Sequence, residues 1–242
     1  MSSLCLRSKK QIRAARDELQ RRHLGYEPPL IPRLLVRLGI APKWGFGDWL
    51  KSWDVLQTAS FLEKNVSRDD PILDLGAYGS EILLILMRLG FSDLHGIDLD
   101  PRLESMVSVA RANMEVGDFY NTRYEGERFS AVTAISVIEH GYRETQLLAE
   151  VSRLLRPGGY FIASFDYWPE KIDTTGMELF GMDWRIFSAR EVESMLECAR
   201  RFGLVPVGDV DLRIERPVID WGGKSYTFGW LALKKEKQPS LS

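Results

Sequence analysis

The sequence predicts a single α/β domain, a doubly wound, mostly parallel sheet with helices on both faces. Three observations predict it. Short apolar runs at 72–75, 94–98, 131–136 and 160–165 alternate with amphipathic helical patterns, the order expected of β-α units and not of a sandwich or a bundle. The run Ile72-Leu73-Asp74-Leu75 passes through Gly76 and Gly79 straight into a helical pattern, a turn that lets backbone approach a ligand closely. The length of 242 residues, 45% of them hydrophobic, is enough for one core and crowded for two.

Taken in order, residues 7–24 are rich in Arg and Lys, and Ile12, Ala15 and Leu19 share one helical face, so a short basic amphipathic helix is expected. Glu27-Pro28-Pro29 and Ile31-Pro32 break it, because proline removes a donor and disfavours α geometry just before it. The chain is accordingly divided into an N-terminal helical arm and linker (1–47), a main domain (48–236) and a disordered tail (237–242). Asp48 is placed to cap a helix whose apolar stripe is Trp49, Leu50, Trp53, Leu56 and Leu62, ending near Val66. This helix would cover the mouth of a site beyond the strands.

Further helices are expected near 80–89, 101–112, 143–155 and 188–202. Asp100-Pro101 supplies a cap and a first-turn proline, and Ser188 with Glu191 forms a capping box. At the C-terminal end, Val205–Leu212 and Tyr226–Leu233 both read as strands with no helix between them, joined through Trp221-Gly222-Gly223-Lys224. An antiparallel hairpin therefore closes a sheet of seven strands.

Bulk properties exclude several classes. With 32 Lys and Arg against 34 Asp and Glu, no global field draws in nucleic acid or a membrane surface. Cys5 and Cys198 stand far apart without ligand spacing, so neither disulfides nor a metal site is indicated. Residues 1–10 have no apolar signal region, and the aliphatic run Ile82–Met87 is far short of a span. A soluble, cytoplasmic protein is expected. No sequence feature sets its oligomeric state.

The chemistry concentrates at strand ends. Asp98 ends the second run, Gly117-Asp118-Phe119 follows a third, Ser136-Val137-Ile138-Glu139-His140 follows a fourth, and Leu155-Arg156-Pro157-Gly158-Gly159 precedes a fifth. This order and spacing over residues 55–205 resembles the class I S-adenosylmethionine-dependent methyltransferases, in particular the type 11 group with the ubiquinone and menaquinone methyltransferases. The resemblance implies a Rossmann-like sheet, S-adenosyl-L-methionine as cofactor and a small-molecule acceptor such as a sugar, a polyketide-like metabolite or a lipid precursor. Nucleic acid is disfavoured as substrate, because no basic patch interleaved with aromatics extends beyond the N-terminal helix.

Ligands of open α/β sheets sit beyond the carboxyl ends of the strands, which orders the candidates. Asp74, Gly76, Ala77 and Gly79 form the cofactor loop. Asp98, 24 positions after Asp74, is at the spacing of a carboxylate that accepts ribose hydroxyls, with Leu99 beside it. The resemblance implies that Asp118 accepts from the adenine amino group, that Phe119 lies beside the ring, and that Ser136, Glu139 and His140 run near the transferable methyl. His140 has the ordinary pKa of a general base, with Glu139 as its partner in catalysis. Trp168, Trp184 and Trp221 are candidates for the acceptor pocket.

The loop departs from the family pattern D-x-G-x-G-x-G, with Tyr78 and Ser80 at its second and third glycines and Gly79 between them. Two other readings therefore stand beside methyl transfer. One is a non-catalytic binding or regulatory protein on the same fold. The other is a nicotinamide-dependent oxidoreductase, although Tyr78 and Glu81 fit poorly with a loop that cradles pyrophosphate.

Overall fold

The computed structural model describes residues 4–26, 47–106 and 111–236. The expected linker from Glu27, the 107–110 part of the helix expected near 101–112 and the expected tail at 237–242 lie outside them. Four central strands are parallel: β2 (Ile72–Leu75), β3 (Leu94–Asp98), β5 (Phe129–Ile135) and the long β6 (Leu155–Tyr167), with β4 (Asn113–Val116) parallel beyond β3. Strand β11 (Lys224–Lys235) is antiparallel to β6. The path β1-β11-β6-β5-β2-β3-β4 reverses direction at β2, so loops after β2 and β5 leave the sheet in opposite directions and open a crevice between them.

The buried runs explain why the parallel strands read so clearly in sequence. All seven residues of β5 and all four of β2 are buried, as strands covered on both faces must be. Helices α1 (Lys9–Arg21), α2 (Ser52–Asn65), α3 (Ile82–Arg88), α4 (Glu144–Leu154) and α5 (Ala189–Arg201) provide the cover. The Ser188–Glu191 capping box is formed in both directions at the start of α5.

The C-terminal edge is more elaborate than one hairpin. Strand β9 spans only Leu204–Pro206, and the expected continuation to Leu212 does not pair as a strand except at an isolated position. The outer edge of β11 is instead covered by three short segments: β9 at Leu233–Lys235, β1 (Leu4–Cys5) at Gly229–Trp230 and β10 (Ile219–Trp221) at Lys224–Tyr226. An otherwise long and apolar edge is thus protected from pairing with other chains. Among the described residues the sheet consequently has nine strands.

The N-terminal helix packs on the domain. Ile12, Ala15 and Leu19 are buried against α2, and Arg22 pairs with Glu63 of α2 at 2.9 Å. Arg16 reaches further, donating to Glu81 Oε2 at 2.8 Å, while Tyr26 N–H donates to Oε1 at 2.9 Å. Glu81 stands at the start of α3 with only 2% of its side chain exposed. An ion pair this deep loses its compensation when one member is removed. Arg16→Ala should therefore cost about 3 kcal/mol or more, read from the midpoint of chemical denaturation; a loss within 0.5 kcal/mol, of the order found for surface pairs, would show that water replaces the pair.

Candidate active site

At the carboxyl ends of β2, β3, β4 and β5 lies a groove of about 860 Å³, within the size range of small-molecule sites. Its first wall is the turn after β2. Gly76 has φ +69°, donates its N–H to Ile97 O at 2.9 Å, and lies so close to Val137 that a Cβ would come within 2.4 Å of Val137 Cγ2. Gly79 has φ +78°. Tyr78 and Ser80 are not among the positive-φ positions, so a side chain costs no backbone strain there. The departure from the glycine pattern is resolved: the left-handed geometry falls on the two positions where glycine is present.

Asp98 ties this turn to the next. Its Oδ2 accepts from Tyr78 N–H at 3.0 Å and its Oδ1 from Asp100 N–H at 2.8 Å, and Leu99, Asp100 and Pro101 continue the wall. Asp74 lies behind the wall, with no exposed surface, accepting from Thr133 Oγ1 at 2.6 Å. Burial pushes its carboxyl up to about 7, the Thr133 bond opposing. Ala77 is likewise buried under the turn. Neither residue lines the groove, so their effect on a ligand is through the loop they support.

Asp118 and Phe119 close the far side. Asp118 accepts from Tyr120 N–H at 2.9 Å and from Arg143 at 3.2 Å, and Phe119 leans on Tyr120 with ring centres 4.6 Å apart. Both line the groove. Gly76, Gly79, Asp98, Leu99, Asp118, Phe119 and Ser136 are thus brought to one surface, as is His140.

The remaining end is built by the loop after β5 and the start of α2. Asp48 caps a short 3-10 turn, Trp49–Lys51, that runs into α2, its carboxylate accepting from Leu50 N–H at 3.1 Å. Trp49 is exposed, in contrast to the stripe expected for it. Lys51 Nζ donates to Ser136 Oγ at 2.7 Å, and Ser136 sits at φ +53° with its N–H on Ser164 O at 3.0 Å.

His140 lines the groove but is a weak base. Burial, and secondarily the charge of Lys51, push its imidazole down to about 4, and its buried Nδ1 has no partner. At neutral pH it is uncharged, the form a base must take, but a poorer proton acceptor than an ordinary imidazole. Glu139 is 1% exposed and does not reach the groove; burial, then the nearby Asp166 carboxylate, drive its pKa well up. The pair expected to share catalysis is therefore a neutral imidazole at the surface and a sealed acid behind it.

The three tryptophans do not line the groove. Trp184 is buried, its Nε1–H on Asp166 Oδ2 at 2.9 Å, with Trp221 edge-on at 5.1 Å and half-exposed. Trp168 packs against the core. Their region contributes through a small hairpin, β7 (Glu178–Leu179) and β8 (Met182–Asp183), whose tip Phe180-Gly181 has positive φ at both residues. Phe180, Gly181 and Met182 line the groove, and Phe180 meets His140 edge-on at 5.3 Å. Sequence patterning missed these residues, along with Lys51, Tyr120 and Arg143. Only the cap at Asp48 and the predicted covering helix pointed toward Lys51.

Comparison with known proteins gives the class. Residues 73–163 match the family described as a methyltransferase domain. Over that stretch the chain is similar to the class I S-adenosylmethionine-dependent methyltransferases, whose cofactor is S-adenosyl-L-methionine. More particularly, it is 32% identical over 122 residues to a ubiquinone biosynthesis O-methyltransferase of Cereibacter sphaeroides, covering 45% of this chain and 48% of that one. The chain thus matches about half the length of that curated relative. Its fold is shared with a Methanosarcina mazei S-adenosylmethionine-dependent methyltransferase at TM-score 0.57, 16% identity, and coverage of 74% of this chain and 98% of that one. It is shared too with the geranyl diphosphate C-methyltransferase of Streptomyces coelicolor at TM-score 0.56, 17% identity, and coverage of 74% and 78%.

The groove fits that cofactor. Gly76 provides a cradle that a side chain would fill. Asp98 and Asp118 present carboxylates to the groove, whereas the start of α3 holds Glu81 where a dinucleotide would need room for phosphate. Acidic walls suit a sulfonium and oppose a pyrophosphate.

Two outcomes test this geometry. Gly76→Ala combines a positive φ with a clash against Val137, and should cost about 1–3 kcal/mol of stability and weaken S-adenosylhomocysteine at least tenfold by calorimetry. The buried Asp74 carboxyl gives a pH signature of definite sign. Its folded pKa lies above the unfolded value, so the folded state binds more protons between about pH 4 and 7, and stability must fall as pH rises through that window. Asp74→Asn should flatten that fall by up to a few kcal/mol in denaturation midpoints taken across pH; an unchanged slope would show that Asp74 does not titrate there.

Proposed function

We propose that this protein transfers the methyl group of S-adenosylmethionine to a small-molecule acceptor bound in the same groove. The observation that carries this reading is continuity: one cavity of about 860 Å³ is lined by Asp98 and Asp118 and also by Ser136, His140 and the Phe180 hairpin. The relative acting in ubiquinone biosynthesis and the geranyl diphosphate methyltransferase both take small molecules by name, which supports acceptors such as a lipid precursor, a polyketide-like metabolite or a sugar. The arm at 1–47 is proposed to serve the domain at 48–236 by bracing the cofactor loop through Glu81.

Each residue then has a role that its placement allows. Asp98 accepts the ribose hydroxyls with the oxygen lone pairs left over from its two backbone bonds. Asp118 accepts from the adenine amino group, and Phe119 lies beside the base. Gly76 lets the cofactor lie against main chain, and Asp74, through Thr133, holds the loop that does so. Bound S-adenosylmethionine supplies a methyl on a positive sulfur that leaves as a neutral thioether. With the leaving group already activated, the protein's part is to align the acceptor and exclude water. His140 contributes a neutral, apolar-backed surface to that alignment.

The alternative of a non-catalytic fold rests on the altered glycine loop, and the positive φ values at Gly76 and Gly79 favour a loop that still approaches the ligand closely. A thermal-shift comparison tests the reading directly. S-adenosylhomocysteine at about 100 times its dissociation constant should stabilise the protein by about 2.7 kcal/mol, while NAD at equal concentration should not. Asp98→Ala should abolish the shift; a shift with NAD alone would overturn the proposal.

A further inference from the structure

We propose that Lys51 is the anchor for the acceptor, its ammonium binding an ionised oxygen, so that the acceptor is a small molecule with an acidic oxygen: a phenol, an enol or a carboxylic acid. The inference deepens the methyl-transfer reading and rests on it.

The first observation is the hydrogen-bond count at Nζ. An ammonium has three donors. Among the described residues, Lys51 Nζ gives one to Ser136 Oγ at 2.7 Å; its other neighbours are the Phe228 ring centre at 3.8 Å and Asp166 Oδ1 at 4.0 Å, the latter too far for a hydrogen bond. Lys51 lines the groove. Its spare donors find no further hydrogen-bond acceptor among the described residues.

The second observation is the set of groups that keep it charged. Asp166 of β6, Asp54 of α2, Glu139 after β5 and Asp48 all face it, and together they outweigh burial and hold the ammonium's pKa up. Three of these carboxyls are sealed: Asp54, Glu139 and Asp166 are at most 4% exposed, and none lines the groove. Asp54 Oδ1, Glu139 Oε2 and Asp166 Oδ1 have no hydrogen-bond partner. Asp166 and Asp54, whose charges act most strongly on Lys51, form the buried counter-charge, while the face offered to a ligand is the ammonium. Ser136, the uncharged His140 and Asp48, whose carboxylate is engaged in capping the Trp49–Lys51 turn, line the groove with it. Arg143, the other cation of this wall, is engaged with Asp118 at 3.2 Å and the Tyr120 ring at 3.9 Å.

An amine acceptor would meet a like charge there. An acidic hydroxyl would instead give its proton to water and bind as the oxyanion, so no protein base is needed and the weakness of His140 is of no consequence. A lone pair of that oxygen then forms the new O–C bond to the methyl, and the S–C bond breaks with its electron pair remaining on sulfur. Charge balances: an anion and a sulfonium become an ether or ester and a thioether.

The test uses the full chain saturated with S-adenosylhomocysteine and three probes: 4-nitrophenol, whose phenolate is coloured, benzoate and benzylamine. On the wild-type complex, 4-nitrophenol should show an apparent pKa lowered by about one unit, a tenfold preference for the anion. Lys51→Met should remove the shift and weaken anion binding at least tenfold, and Lys51→Arg should retain it. Benzoate bound without a 4-nitrophenol shift would assign the anchor to carboxylic acids, and the shift itself to acidic hydroxyls. If Lys51→Met no longer holds S-adenosylhomocysteine, Lys51→Met with Asp166→Asn removes charge and counter-charge together and takes its place. A wild-type complex that neither shifts 4-nitrophenol nor binds benzoate, that prefers benzylamine, or that is unaffected by loss of the lysine overturns the inference. Failure of the wild type to bind S-adenosylhomocysteine is a separate result, which defeats the reading beneath it.

Discussion

The contact between the α-carbon of Gly76 and the side chain of Val137 governs the rest of the site. It brings the loop after β2 against the loop after β5 at the place where the sheet reverses its order, and the crevice is what remains between them. A turn this close needs a residue without a Cβ in left-handed geometry. Once the turn is so placed, its N–H groups face Ile97 O and the Asp98 carboxylate, and a third strand end is bound into the same wall.

Burial of charge is the second theme. Asp74, Asp54, Glu139 and Asp166 are all removed from water within one domain, and each has its pKa raised by the loss of hydration. Natural cores rarely bear this without a return. For Asp74 the return is a rigid loop. For the other three it is the charged state of Lys51 at the end of the groove lined by Ser136 and His140. The cost falls on stability, and the benefit on the chemistry of the groove.

Functional classes separate on the same physics. A pyrophosphate would need backbone donors and space at the start of α3, where Glu81 is pinned by Arg16 and Tyr26. A sulfonium asks for neither, and it tolerates the carboxylates of Asp98 and Asp118. The basic N-terminal helix, which in isolation reads as a surface for anions, spends Arg16 and Arg22 on Glu81 and Glu63. Its basic character is in part structural.

The sequence by itself determined the elements that depend on local pattern. Buried parallel strands must be uniformly apolar, so β2, β3, β5 and β6 were legible, as were the capping box of α5 and the strand-end positions of Asp98, Asp118 and Ser136. Tertiary structure alone decided which glycine carries the turn, because φ at Gly79 and Tyr78 depends on what the loop packs against. It also decided the roles of side chains whose environment is assembled from distant segments. His140 reads as a base until Lys51, 89 positions earlier, and burial lower its pKa. Trp184 reads as a pocket residue until Asp166 takes its N–H. Lys51 carries no chemical signal in the sequence, and only the fold brings Asp166, Asp54 and Glu139 to it. Periodicity reports which face of an element is apolar; it carries no information about which charges from other elements arrive at that face.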